Sequence, residues 1–191
     1  MLGTRVQRHR FDVEEYHRMA EAGILSEDER VELIDGEIVE RSSIGSAHQA
    51  VVDRLNRLLT NFAAQEYIVR PQGPVRLDEH DEPQPDIALL RYREDFYEGE
   101  HPGPRDMLLS IEVSDSSLEY DRSVKLPLYA GASVAEVWIV NLAGGEVESH
   151  SGPRSNGYQT TRRYGRGEEA VSETVPALRL GVQDSGRRPA E

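Results

Sequence analysis

The chain has 191 residues, of which 37% are hydrophobic and 30% charged, and its formal net charge is −13 at pH 7. This length suits one well-packed domain, which we expect to span 1–183 and to be followed by a disordered tail at 184–191. Because the chain has no cysteine, disulfides and thiolate metal sites are excluded. A bound metal would need oxygen or imidazole ligands, which favours a hard cation such as Mg²⁺ or Mn²⁺.

The apolar runs of the sequence are short. The longest, such as 135–142, fall far below the roughly 20 residues that a membrane span needs. Residues 1–10 are basic and lack the apolar segment of a secretory signal. We therefore expect a cytoplasmic protein with no membrane partner.

The first predicted elements are a short helix and a hairpin. Asp12 can cap the helix, Glu15 three positions later completes a capping-box pattern, and Gly23 can end the helix. Apolar residues on both sides of the Asp35-Gly36 turn signal predict a hairpin over 31–41.

The next elements alternate between helices and strands. Apolar residues at helical spacing predict a long helix over 46–65, and the polar loop 92–105 could act as a flap. The remaining predicted elements are strands at 67–77, 85–90 and 107–114, a helix at 121–132, and a buried strand at 135–142 that contains Trp138.

This order of elements predicts an α/β fold, α-β-β-β-α-β, in which helices flank a mixed sheet. The turn-rich residues from 144 onward predict a C-terminal β extension.

Two acidic residues occupy predicted strands. Asp86 follows a proline at the start of one strand, and Glu112 lies among apolar residues in the next. Burying a carboxylate in such a strand is costly unless it meets a cation. On adjacent strands, these carboxylates and a backbone carbonyl such as that of Val113 would form an oxygen-only pocket suited to Mg²⁺. The alternative is that both are partly solvated residues near strand ends.

Lys125 borders the apolar face of the predicted helix, next to Tyr129. From there its ammonium could reach back to the Glu112 strand. The alternative is a surface pair with Asp121, worth a few tenths of a kcal/mol. Pro127 removes an amide hydrogen and would cost about 3 kcal/mol in a helix interior, which predicts a kink beside Lys125.

These residues belong to a set of short motifs that follow one another along the chain. It consists of Val31-Glu32-Leu33-Ile34-Asp35-Gly36-Glu37-Ile38, His48, Pro85-Asp86, Ile111-Glu112-Val113-Ser114, Asp121-x-x-x-Lys125-x-x-x-Tyr129 and Val134-x-Glu136-x-Trp138-Ile139-Val140. Over residues 11–142 the pattern resembles the Uma-two family of putative endonucleases, in the PD-(D/E)xK restriction-endonuclease-like superfamily.

The resemblance implies a restriction-endonuclease-like core with an N-terminal helix and hairpin. It also implies a metal-dependent nuclease that hydrolyses phosphodiester bonds, with DNA as its substrate and a homodimer as its assembly. The implied catalytic residues are Asp86, Glu112 and Lys125. The implied metal ligands for Mg²⁺ or Mn²⁺ are Asp86, Glu112 and the backbone carbonyl of Val113. The standard motif has lysine two residues after the glutamate, where this chain has Ser114, so the lysine role falls to Lys125.

Glu32 and His48 are additional candidates, because this superfamily often takes an acidic ligand or a water-positioning group from elements before the three strands. The alternatives are a histidine satisfied at a helix end and a glutamate on a hairpin edge.

The net charge of −13 opposes a nucleic-acid substrate, because phosphate binding rests on Lys and Arg. A bound divalent cation and a local cluster of Arg162, Arg163 and Arg166 would soften this objection. One alternative function is a non-catalytic binding or assembly module that keeps the fold. Another is a metal-free hydrolase with Asp86 and Glu112 as a general acid–base pair.

Overall fold

A computed structural model describes the chain over residues 8–26, 28–41, 45–63 and 66–182, so the predicted tail at 184–191 lies outside the described residues. The helical elements are α1 (Val13–Glu21), α2 (Ser46–Ala63), α3 (Leu118–Tyr120), a π-helical turn (Asp121–Lys125) and α4 (Leu126–Gly131). The strands are β1 (Val31–Ile34), β2 (Glu37–Glu40), β3 (Tyr67–Pro71), β4 (Ile87–Arg91), β5 (Met107–Ser114), β6 (Glu136–Asn141), β7 (Glu146–Arg154), β8 (Gly157–Tyr164), β9 (Glu169–Val171) and β10 (Arg179–Gly181).

The N-terminal helix and hairpin form as the sequence predicts. Asp12 Oδ1 accepts a hydrogen bond from the Glu15 N–H at 2.7 Å, and the Glu15 carboxylate accepts one from the Asp12 N–H at 3.1 Å, which is a capping box. Strands β1 and β2 pair antiparallel around a turn in which Asp35 (φ 52°) and Gly36 (φ 71°) both adopt left-handed conformations. Positive φ at both central residues gives the twist that hairpin strands require.

Six strands form the main sheet, in the order β3-β4-β5-β6-β7-β8. All neighbours are antiparallel except β5 and β6, which are parallel and are joined by the helical crossover through α3 and α4. The predicted strand over 67–77 ends at Pro71, because the next residue, Gln72, turns the chain with a φ of 47°. Strands β7 and β8 extend the sheet, and β9 with β10 forms a separate hairpin.

Helices and loops bury both faces of this sheet. One face packs against α2 and the β9–β10 hairpin, and Trp138 is fully buried there, as predicted. The other face packs against Tyr129 of α4 and against residues of the segment between β3 and β4. Within the described residues, none of the helices combines the length and apolarity that a membrane crossing requires.

The crossover contains a π-helical turn where the sequence predicts one kinked helix. Across this turn the Leu126 N–H bonds to the Asp121 carbonyl, five residues back. Pro127 then lies at the start of α4, directly after this turn, so the residue without an N–H lies at the junction of the π-helical turn and the α-helix. Lys125 lies at the end of the widened turn.

Candidate active site

A cavity of about 330 Å³ opens beside the start of β4 and the end of β5. Its lining holds more acidic than basic side chains. The carboxylates are those of Glu32, Glu40, Asp86, Glu112, Asp115 and Asp121, and the cationic groups are those of Arg30, Arg41 and Lys125. This excess of negative charge favours binding of a cation.

Asp86 and Glu112 meet at the junction of two antiparallel strands. The register pairs Ile87 with Ile111, so the next pair outward is Asp86 opposite Glu112. Because successive side chains alternate between faces, both carboxylates lie on the face away from α2. Each residue is only 3% exposed, and both line the cavity.

The backbone of β5 holds Asp86 in place. Asp86 Oδ2 accepts a hydrogen bond from the Val113 N–H at 2.8 Å, beyond the last residue of β5 that pairs with β4. The N–H and C=O of one strand residue point to the same side, so the Val113 carbonyl lies on the same strand edge as Asp86.

Lys125 is buried and contacts two carboxylates. Its Nζ lies 3.3 and 3.2 Å from the two oxygens of Glu112 and 3.2 Å from Glu32 Oε1. The alternative of a surface pair with Asp121 is wrong, because Lys125 is only 4% exposed and Asp121 accepts hydrogen bonds from two serine hydroxyls. One of these is Ser114, at the standard motif's lysine position. It anchors Asp121 at the start of the π-helical turn that carries Lys125.

The structure also brings Glu32 and His48 to this cavity. Besides Lys125, Glu32 Oε1 contacts the Gln84 N–H at 2.9 Å, so it bridges β1 to the segment that carries Asp86. His48 Nε2 lies 3.0 Å from Asp86 Oδ2, and its buried Nδ1 has no hydrogen-bond partner among the described residues. All five predicted side chains therefore line or contact one site.

Two side chains that contact the predicted carboxylates were not predicted as members of the site. Arg41 Nε lies 3.2 Å from Glu32 Oε1, and its Nη2 lies 3.3 Å from Asp86 Oδ1. The Tyr129 hydroxyl donates to Glu112 Oε1 at 2.6 Å. Tyr129 follows Lys125 by one helical turn, a spacing that could have identified it. Arg41 follows the hairpin, and no local pattern indicates that the hairpin lies over the end of the sheet.

Burial and neighbouring charges together raise the pKa values of both Glu112 and Lys125. Burial raises the pKa of Glu112 to about 8; the ammonium of Lys125 opposes that rise, and three neighbouring carboxylates reinforce it. Burial disfavours the charged form of Lys125, but Glu112 and Glu32 outweigh it and raise the pKa of the ammonium. At neutral pH the cluster therefore retains a proton on Glu112, which a divalent cation could displace.

The pKa of Asp86 is lowered. Burial disfavours the charged form, but the hydrogen bond and charge of His48 and the Val113 N–H together stabilise the carboxylate. Asp86 therefore offers a cation a carboxylate that is already ionised, whereas Glu112 must first release its proton.

The predicted arginine cluster is partly neutralised. Arg162 pairs with Glu173 at 3.1 Å, and Arg163 Nε lies 3.2 Å from the buried carboxylate of Glu148. The positive charge nearest the site comes instead from the cationic residues of the cavity lining.

Comparisons with known proteins place the chain in a class and then in a family. A solved structure of a putative nuclease belonging to DUF820 from Anabaena variabilis matches the fold with a TM-score of 0.70 at 16% identity, covering 92% of this chain and 97% of that chain. The fold is thus restriction-endonuclease-like. The Uma2 family model, described as putative restriction endonuclease, matches residues 13–183, and the chain belongs to this family. The comparison with curated proteins gave no match. The predicted family and fold are confirmed.

Proposed function

We propose that this protein is a nuclease that hydrolyses phosphodiester bonds of DNA with the help of Mg²⁺ or Mn²⁺. One observation carries the proposal: the buried carboxylates of Asp86 and Glu112 lie opposite each other in one cavity, with the Lys125 ammonium 3.2 Å from Glu112. Membership of a family described as putative restriction endonucleases supports a nuclease in general.

The donor atoms of the cavity fit a hard divalent cation. Asp86 and Glu112 would hold it through carboxylate oxygens, and the Val113 carbonyl lies on the same strand edge. The charge balance also fits, because the buried carboxylates outnumber the cationic groups among them. The carboxylates are Glu32, Asp86, Glu112 and Asp121, and the cationic groups are Lys125 and Arg41.

When bound, a divalent cation supplies Lewis-acid polarisation of a phosphate and makes a nearby water more acidic. The side chains of the chain provide the remaining functions. His48 and the Val113 N–H fix the Asp86 carboxylate, and Glu32 positions Lys125 from the hairpin side. The Lys125 ammonium, which has three donors, would stabilise negative charge as it develops on the reacting phosphate.

Substrate approach depends on the cationic rim of the cavity. Arg30 lines its hairpin side, where its guanidinium can neutralise phosphates of a bound strand, whereas Arg41 is already paired with Glu32 and Asp86. Among the cavity-lining residues that the structure describes, we identify none that would read base edges, so we propose binding of the phosphate backbone without sequence preference.

The test is cleavage of plasmid DNA by wild type and by Asp86→Asn, with Asp28→Asn as an exposed control outside the cavity. We expect cleavage that requires Mg²⁺ or Mn²⁺ and stops with a chelator. Asp86→Asn should lose about 10³-fold in rate, which corresponds to several kcal/mol of transition-state stabilisation. The control should retain full activity.

Two outcomes would contradict the proposal. Cleavage that survives the chelator would favour the metal-free acid–base mechanism. A folded wild type that binds the cation but cleaves neither DNA nor RNA would favour a non-catalytic module.

A further inference from the structure

A second group of metal-ligating side chains lies outside the cavity. His17, Glu82 and His101 each offer a ligand atom, and these atoms all lie within 4.8 Å of one another. None of the three lines the cavity. They come from α1, from the segment between β3 and β4, and from the loop between β4 and β5.

The Glu82 carboxylate is the buried centre of this group. Glu82 is 3% exposed, and its Oε1 lies 2.7 Å from His17 Nε2. Its other oxygen, Oε2, is buried and has no hydrogen-bond partner among the described residues. A buried carboxylate oxygen without a hydrogen-bond partner is costly, and a bound metal ion would supply the missing partner.

Backbone hydrogen bonds hold the three segments together. The Glu82 N–H donates to the Leu33 carbonyl at 2.8 Å, and the Val13 N–H at the start of α1 donates to the Glu79 carbonyl at 2.9 Å. On the other side, the Pro102 carbonyl, next to His101, accepts from the Arg76 N–H at 2.9 Å. The three side chains therefore converge from segments that backbone hydrogen bonds connect to the rest of the fold.

We propose that His17, Glu82 and His101 form a second metal site, which takes a borderline transition-metal ion such as Zn²⁺. Two imidazoles and one carboxylate are a donor set that suits zinc, whereas Mg²⁺ prefers oxygen ligands alone. In a zinc site each ligand atom lies about 2.0–2.2 Å from the ion, so the three atoms must approach one another somewhat. His101 is exposed on its loop and can make this adjustment.

A metal at this position would fasten α1 and the β4–β5 loop to the segment that precedes β4. That segment carries Asp86, and its Gln84 N–H holds Glu32. The second site would thus stabilise the framework of the cavity from outside. It does not depend on the proposed nuclease function.

The test is calorimetric titration of Zn²⁺ into the full chain in the presence of excess Mg²⁺, combined with thermal melting. The variants are His101→Ala, Glu82→Gln and Asp86→Asn, with His9→Ala as a matched control that removes an exposed histidine outside the group. His101→Ala alters an exposed loop residue and should fold normally. Glu82→Gln keeps the side-chain shape and removes the charge.

We expect one Zn²⁺ per chain to bind despite Mg²⁺ and to raise the melting temperature. Because loss of an outer-shell partner alone costs 10–100-fold in metal affinity, loss of a ligand in His101→Ala or Glu82→Gln should weaken Zn²⁺ binding by at least about 100-fold. His9→Ala and Asp86→Asn should bind as wild type does. Equal binding in His101→Ala and wild type would overturn the proposal, as would loss of Zn²⁺ binding in Asp86→Asn.

Discussion

Two buried glutamates lie on neighbouring parallel strands, and their surroundings differ. Glu112 on β5 is 3% exposed and Glu136 on β6 is fully buried, and they project from opposite faces of the sheet. The Glu136 carboxylate lies within hydrogen-bond distance of six donors, all neutral, of which the Thr174 hydroxyl can donate instead to the Leu108 carbonyl at 2.7 Å. These donors are Trp138 Nε1, the hydroxyls of Ser149, Ser172 and Thr174, and the backbone N–H groups of Glu173 and Thr174.

Glu112 has charged neighbours instead. Its donors are the Lys125 ammonium and the Tyr129 hydroxyl, and other carboxylates line the same cavity. A carboxylate saturated by neutral dipoles can stay charged without a cation, and here Glu136 ties β6 to the segment between β9 and β10. A carboxylate among other carboxylates needs a proton or a cation. The neighbours, and not the burial, therefore distinguish the candidate catalytic glutamate from the structural one.

The largest expected effect is that Glu112→Gln lowers the cleavage rate and spares stability, whereas Glu136→Gln lowers stability and spares cleavage. Glu112→Gln should reduce metal-dependent cleavage by about 10³-fold and cost little stability, because Gln resembles the protonated acid. Glu136→Gln should do the opposite, since both carboxylate oxygens accept hydrogen bonds and an amide nitrogen cannot accept any. Each hydrogen bond to a charged group contributes about 1.5–3 kcal/mol, so we expect a loss of about 3 kcal/mol with cleavage retained.

Urea denaturation and cleavage assays below the melting temperature of both variants would measure this difference. If Glu136→Gln lost cleavage while remaining folded, the two glutamates would not have separate roles.

A second prediction concerns the cation beside Glu112. Lys125→Met should lower the cleavage rate by about 10²–10³-fold and leave the affinity for Mn²⁺ within a few-fold of wild type, because an ammonium is not a metal ligand. In metal-free protein the variant should lose about 3 kcal/mol, since the buried carboxylate of Glu32 loses a cationic partner and the buried Glu112 loses a hydrogen-bond donor. Arg18→Met, on the exposed side of α1, is the control.

The stability loss tests whether Lys125 is buried between Glu32 and Glu112. If Lys125 formed a surface pair instead, its removal would cost little stability. Single-turnover cleavage and Mn²⁺ titration would decide it. A variant that cleaves as fast as wild type would exclude Lys125 from catalysis.

The features predicted correctly from the sequence have local causes. The capping box at Asp12, the left-handed turn at Asp35-Gly36 and the apolar strand around Trp138 each depend on a few adjacent residues. The convergence of Asp86 and Glu112 could also be anticipated, because a carboxylate in an apolar strand requires a partner.

The features that were missed depend on contacts between distant segments. Arg41 reaches Asp86 only because the β1–β2 hairpin lies over the end of the sheet. The π-helical turn lies next to Pro127 and begins at Asp121, whose carboxylate accepts a hydrogen bond from Ser114 on β5. The group of His17, Glu82 and His101 joins three segments that have no shared sequence pattern.

A third prediction uses the pKa of Glu112. Metal binding should release the Glu112 proton, so the affinity for Mg²⁺ should rise as pH increases toward about 8, by up to about tenfold per pH unit. In the metal-free protein the same group has a folded pKa above its ordinary value of 4.5. The folded state then holds more protons than the unfolded state, so stability falls as pH rises between those values.

Calorimetric titration of Mg²⁺ from pH 6 to pH 8.5 would measure the first effect, and urea denaturation without metal the second. In Glu112→Gln both dependences should largely disappear. A Mg²⁺ affinity that does not change with pH would show that Glu112 is ionised before the metal binds.

The smallest expected effects come from removing one hydroxyl from each glutamate. Tyr129→Phe removes the donor to Glu112, and Ser172→Ala removes one of the six donors to Glu136. Each variant should lose about 1.5 kcal/mol of stability, so unfolding alone cannot tell them apart. The pH dependence of metal binding should distinguish the two variants.

Because the Tyr129 hydroxyl stabilises the ionised carboxylate, its loss should raise the pKa of Glu112 and move the pH midpoint of Mg²⁺ binding upward. Ser172→Ala should leave that midpoint unchanged, because Glu136 lies on the opposite face of the sheet. An equal shift in both variants would mean that the two carboxylates are electrostatically coupled through the sheet, and the separation of a catalytic from a structural glutamate would then fail.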